Sequence, residues 1–114
     1  MHVDTNADDL TPQSAYVDVA VEVFRLLADA TRIRIVLALR DGELSVNNLA
    51  ELVERSPAAV SQHLAKLRWG KVVRVRQDGN RVFYRLTDEH AMRLVIEAIR
   101  QAEHSVDEHP RHRS

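Results

Sequence analysis

The hydrophobic period changes once in the second half of the chain, and the change separates a helix from a hairpin. Val60, Leu64 and Leu67 recur at helical steps and share one face of a helix. Ser56 is placed to cap its first free N–H groups, and Pro57 at the first helical position forfeits no bond the helix would have used. The opposite face carries Ala58, Ala59, Ser61, Gln62, His63 and Lys66, small residues first and hydrogen-bonding ones after. Beyond Trp69 and Gly70, which end the helix, the period becomes two. Val73, Val75, Val82 and Tyr84 take one side of a hairpin, Arg74, Arg76, Phe83 and Arg85 the other, and Asp78-Gly79-Asn80 supplies the turn.

The same reading extends along the chain. Ser45 to Val53 forms a short helix with Leu49, Leu52 and Val53 inward, joined to the next by a tight turn at Glu54-Arg55. Pro12 to Ala28 is a helix whose apolar face, from Tyr16 and Val17 to Phe24 and Leu27, is wide enough to meet both its own core and another chain. Asp29-Ala30-Thr31 opens a second helix, with Ile33, Ile35, Val36, Leu37 and Leu39 apolar, and Asp41-Gly42 closes it. Thr87-Asp88 caps a final helix running to about Val106 with a stripe of Ala91, Val95, Ala98, Ile99, Ala102 and Val106. A helix, a short turn, a capped helix and a hairpin make a winged helix-turn-helix. The fold class is mainly α with a small β-hairpin wing (α+β), dimeric through the first and last helices. Residues 1–11 read as a flexible arm, 12–106 as the DNA-binding and dimerisation domain, and 107–114 as a flexible histidine-containing tail.

Charge sharpens this picture. The formal net charge of the 114 residues is only -1. Between Arg55 and Arg85, however, Lys66, Arg68, Lys71, Arg74, Arg76 and Arg81 face Asp78 alone. Basic groups neutralise phosphates and release counterions, whereas short polar groups on a helix reach base edges. Ser61, Gln62 and His63 are therefore assigned to base edges and Lys66, Arg74, Arg76 and Arg81 to phosphates of double-stranded operator DNA. Ser56 and Ala59 complete the DNA-facing set at the start of the helix. The polar, acidic Met1 to Thr11 stretch is neither a signal peptide nor a membrane span, so a cytoplasmic protein with no membrane partner is expected. The absence of cysteine excludes disulfides and thiolate sites. No glycine-rich phosphate loop, nucleophile elbow or HExxH pair supports an enzyme.

Six histidines stand at 2, 63, 90, 104, 109 and 112. Along one helix the step from His90 to His104 leaves the two imidazoles within roughly 40° of one face but about 21 Å apart. One straight helix cannot chelate an ion with both. Two such helices packed antiparallel about a two-fold axis near Glu97 would bring His90 of one chain to His104 of the other, giving two equivalent sites. Spacing alone leaves a metal site and plain surface histidines equally open.

From about Val21 to His112 the chain resembles the ArsR/SmtB family of metal-responsive winged-helix repressors. The likeness is carried by Leu26-Leu27-Ala28-Asp29-Ala30-Thr31-Arg32, the approach from Glu43 to Leu49, the helix Ala59-Val60-Ser61-Gln62-His63-Leu64-Ala65-Lys66-Leu67, and Val82-Phe83-Tyr84-Arg85-Leu86. Where the family's thiolate site has Cys-Val-Cys, this chain has Ser45-Val46-Asn47, which removes that site for soft metals. In the family's last-helix pattern Asp88, His90 and His104 match, but Gln101 replaces the third ligand, and a neutral amide is a poor zinc ligand. The segments around His90, Glu103-His104 and Pro110-Arg111-His112 are more similar to a nickel- and cobalt-sensing branch, with Arg113 where that branch has a histidine and His109 nearby to compensate. The resemblance thus implies Asp88, His90, Glu103, His104, His109 and His112 as a ligand set for nickel or cobalt, with zinc behind them. The competing reading is a regulator of the same fold that senses no metal itself or acts with an accessory protein.

Overall fold

The computed structural model describes residues 10–108. Its elements are α1 (Val17–Leu27), α2 (Ala30–Ala38), a single 3-10 turn (Leu39–Asp41), β1 (Leu44–Ser45), α3 (Val46–Val53), α4 (Pro57–Trp69), β2 (Val73–Asp78), β3 (Arg81–Leu86) and α5 (His90–Glu108). The first eleven residues, His109 and His112 lie wholly or largely outside that span, as does His2. Among the described residues no helix is long and apolar enough to cross a membrane.

Caps set the helix starts. Asp29 accepts from the N–H of Arg32, Ser45 from Asn48 and Ser56 from Ala59, each side-chain oxygen satisfying a donor the helix leaves free. Between α3 and α4 the chain reverses through Glu54 in the left-handed region at φ 56. That sharp turn crosses the two helices of the helix-turn-helix. Val60, Leu64 and Leu67 on α4 have no solvent exposure and pack with Ile35, Val36, Leu39, Leu49, Ala50 and Val53. The inner face read from the sequence is therefore the core of the motif.

The wing differs from the expected two-stranded hairpin. β1 adds a third strand in the order β1-β3-β2, pairing Leu44 with Tyr84 and Ser45 with Phe83. Two residues are too short to show an alternation, so no period betrays this strand. The β2–β3 register pairs Val73 with Leu86, Val75 with Tyr84 and Arg76 with Phe83, as the alternation predicted. The turn is two residues, Gly79-Asn80, with Gly79 at φ 63 in the position where glycine turns without steric cost.

Two helix expectations are corrected, the inward face of α3 and the start of α1. Leu52 is 61% exposed, and Ala50 takes its place in the core. Leu49, Ala50 and Val53 centre the buried face of α3, and Leu52 stands about 110° from that centre. α1 begins at Val17 rather than Pro12, and of its wide apolar face only Leu27 is buried, Leu26 being partly so. On α5 the buried residues Ala91, Met92 and Val95 all fall in the first half, while Ala98, Ile99, Ala102 and Val106 are exposed. The second half of α5 stands away from its own core.

Leu64→Ala should lower unfolding stability by roughly 2–5 kcal/mol because it opens a cavity in the motif's core, whereas Leu52→Ala should change it by about 0.5 kcal/mol or less. Urea denaturation of both variants checks which leucine is structural, and equal losses would contradict the burial seen here.

Candidate nucleic-acid interface and metal centre

The core packing of α4 leaves its other face outward. Ser61, Gln62 and Lys66 are exposed, and Ala59 and His63 are half-buried beside them. The Ser56 hydroxyl oxygen already accepts from the Ala59 N–H at 3.1 Å, so its first task is the cap. Small side chains at Ala58 and Ala59 keep the helix start low, which suits close approach to a groove wall.

His63 is held more firmly than a free surface reader would be. Its Nδ1 accepts a hydrogen bond from Arg32 Nε at 3.1 Å, across 31 positions of sequence. The Arg32 Nη1 donates at the same time to the Leu26 carbonyl at 3.0 Å. Asp29 Oδ1 accepts the Arg32 backbone N–H at 3.0 Å. That backbone bond, with the charge of Arg32 beside it, holds the Asp29 carboxyl below its ordinary value. Nothing in the local sequence pattern around Arg32 marks a partner so far along the chain.

On the sheet, Arg74, Arg76, Arg81 and Arg85 are all exposed. Phe83 is a stacking platform between two of them, with Arg76 at 4.9 Å and Arg81 at 5.2 Å from the ring centroid. Arg74 is exposed on the side the alternation implied, and Arg81 lies against the Phe83 ring. Arg76 does not extend freely: its guanidinium grips the Glu43 carboxylate through Nε at 3.0 and 3.1 Å and through Nη2. Hydrogen bonding from Arg76, helped by the charge of Arg85, lowers the Glu43 carboxyl below its ordinary value and raises Arg76 in turn. Glu43 reaches this arginine only because β1 joins the sheet.

The last helix carries the other candidate residues. Asp88, His90, Glu103 and His104 are all exposed. Asp88 Oδ1 accepts the His90 N–H at 2.9 Å, so this carboxylate caps α5 as the sequence implied. His90 lines an open groove of about 890 Å³ with Tyr16, Ala20, Val23, Phe24 and Leu94. Glu103 lies farther along, beside Ile99, Ala102 and Val106. Among the described residues no three histidine or carboxylate side chains come together as a metal site. α5 is helical to Glu108, so Glu103 and His104 point about 100° apart within one chain.

A capped helix with a polar outer face, followed by an arginine-lined three-stranded wing, defines a winged-helix DNA-binding regulator. Residues 29–69 match the family described as bacterial regulatory protein, arsR family. Over 112 residues the chain is 50% identical to the HTH-type transcriptional regulator KmtR of Mycobacterium tuberculosis, covering 98% of this chain and 85% of that one. It is 41% identical over 91 residues to a cadmium resistance transcriptional regulatory protein, a CadC homolog of Staphylococcus aureus, covering 79% of this chain and 74% of the relative. The homodimeric winged helix-turn-helix DNA-binding domain Mb0332 from Mycobacterium bovis, a possible ArsR-family regulator, superposes with a TM-score of 0.71 at 26% identity, over 91% of this chain and 100% of that one. The chain belongs to the ArsR/SmtB family and is a transcriptional regulator, not an enzyme.

The Glu43–Arg76 bridge gives a pH signature. A carboxyl with a lowered folded value contributes stability that is fully present above its ordinary value of 4.5 and is lost as pH falls through the folded value. Glu43→Gln should therefore lower the urea midpoint at neutral pH, and the difference from wild type should close in acid. A gap that persists in strong acid would assign the loss to something other than this ion pair.

Proposed function

We propose that the protein binds operator DNA as a homodimer through α1 and α5 and that nickel or cobalt changes its operator affinity. The reading is carried by one observation above the rest: the second half of α5 and most of α1 expose apolar side chains that their own core does not use, next to the residues of the candidate ligand set. Tyr16, Val17, Val21, Phe24, Ile99 and Val106 are all exposed. A second copy is the natural cover for this surface, and isologous pairing repeats each contact twice.

In this reading α4 enters the major groove. Ser61, Gln62 and His63 address base edges, the start of the helix at Ser56 and Ala59 lies against the backbone, and Lys66, Arg74, Arg76 and Arg81 neutralise phosphates. Arg76 exchanges Glu43 for a phosphate on binding. Acting on operator DNA places the protein in the cytoplasm.

Asp88, His90, Glu103 and His104, with His109 and His112 beyond the described residues, would hold the ion. A mixed imidazole and carboxylate set with no thiolate suits nickel or cobalt in higher coordination and suits tetrahedral zinc less, since Gln101 stands where a third zinc ligand is needed. His90 from one chain and His104 from the other would hold the ion between the two last helices, where it would supply a cross-link. Ligation by both Glu103 and His104 requires the end of α5 to unwind. Whatever free energy bound metal would take from DNA binding, bound DNA would take from metal affinity. The second reading, a regulator of this fold that senses no metal itself or acts with an accessory protein, draws on the lack of a three-ligand cluster among the described residues.

Fluorescence anisotropy on the protein's own upstream DNA, at fixed salt, with chelator and then with each metal singly, tests this. One metal should shift affinity about tenfold or more, roughly 1.4 kcal/mol of coupling, and His90→Ala with His104→Ala should abolish the shift. Tight DNA binding that no metal alters would favour the second reading. Arg81→Ala should weaken binding to upstream and random duplex alike and flatten the salt slope by about 0.9 per subunit, roughly 1.8 for the dimer; a loss confined to upstream DNA would make Arg81 a base reader.

A further inference from the structure

Two groups beside His63 decide which of its nitrogens carries the proton. Arg32 Nε–H, which is always a donor, lies 3.1 Å from Nδ1 in hydrogen-bonding geometry. The rival acceptor for a proton on Nδ1 is Asp29 Oδ1, and at 4.0 Å it is beyond hydrogen-bond distance. That oxygen is also already occupied by the Arg32 N–H. Nδ1 is therefore the acceptor, and the proton of a neutral imidazole resides on Nε2. Among the described residues Nε2 has no protein partner, yet no half-buried or buried side chain there leaves an enclosed nitrogen unbonded. Nε2 thus opens to solvent from a side chain that is only 24% exposed.

We propose that Arg32 is a positioning residue for DNA recognition: it fixes the His63 tautomer so that α4 presents Nε2–H, a hydrogen-bond donor, to an acceptor on DNA. The matching acceptors in the major groove are purine N7 and guanine O6; the other tautomer would present an acceptor and suit the amino groups of cytosine or adenine instead. Arg32 itself does not touch DNA in this scheme. Its guanidinium is half-buried and anchored to the Leu26 carbonyl at the end of α1, and reaching a phosphate would break both side-chain bonds. The same anchor ties the end of α1 to the recognition helix. The proposal rests on the reading of α4 as the helix that meets DNA.

Long-range proton–nitrogen NMR on the DNA-free protein reads the tautomer directly. His63 should show a protonated Nε2 and a bare Nδ1, and Arg32→Met, which keeps the apolar stem and removes the donors, should show both tautomers. On DNA, Arg32→Met should cost roughly five- to tenfold on the upstream sequence, the worth of one weak hydrogen bond from each protomer, and little on random duplex. In a His63→Ala background it should cost nothing further, since the two residues act as one unit. A protonated Nδ1 in wild type overturns the proposal even if Arg32→Met does not fold. Equal losses on both duplexes, or additive losses with His63→Ala, overturn it as well. A wild type that has the expected tautomer but does not prefer its upstream DNA to random duplex defeats the reading of α4 and the proposal together, whereas the wrong tautomer in a protein that does prefer it defeats the proposal alone.

Discussion

The structure depends on the complete burial of one side of α4. Val60, Leu64 and Leu67 are sealed against α2 and α3, so the helix cannot rotate without exposing apolar surface to water. Three buried side chains of this size are worth several kcal/mol, a large part of the stability of a small domain. Because the inner face is pinned, the outer face has a fixed direction. The polar run from Ser61 to Lys66 points outward for that reason and needs no binding partner to orient it.

The same pinning passes to the neighbouring elements. Gly70 follows α4 directly, and a Cβ there would come within 2.3 Å of Leu26 on α1, so a glycine lets the end of the recognition helix lie close to the first helix. Arg32 joins the two again from below, reaching the Leu26 carbonyl and His63 together. On the far side β1 draws Glu43 across the sheet to Arg76, which anchors the wing to the chain segment before α3. Wing, recognition helix and first helix are thus one unit, and a change in how α1 is seated has a physical route to the DNA-facing surface.

α5 divides into two functions by burial. Its first half, through Ala91, Met92 and Val95, fastens the helix to the domain. Its second half carries an apolar stripe and the Glu103-His104 pair beyond the reach of its own core. An isolated helix extension exposes apolar area that water disfavours, and a pairing chain is the ordinary remedy in small domains. Stability of the assembly and placement of the candidate ligands are therefore tied to the same surface.

Much of this was legible in the order of residues. The cap at Ser56, the opening of α2 at Asp29, the buried face of α4, the two sides of the hairpin and the basic surface all follow from spacings of a few residues, because local backbone geometry imposes periods of 3.6 and 2. The interactions that tune the surface were not legible. Arg32 meets His63 across 31 positions and Arg76 meets Glu43 across 33, and no local period records such a pairing. Leu52 had the right spacing for the core and lies outside it, because packing against α2 and α4 chose a face centred elsewhere on α3. Residue spacing determined which elements form and which sides of them are apolar; only the tertiary structure decided which apolar sides find a partner within the chain, since that choice is made where separate elements meet.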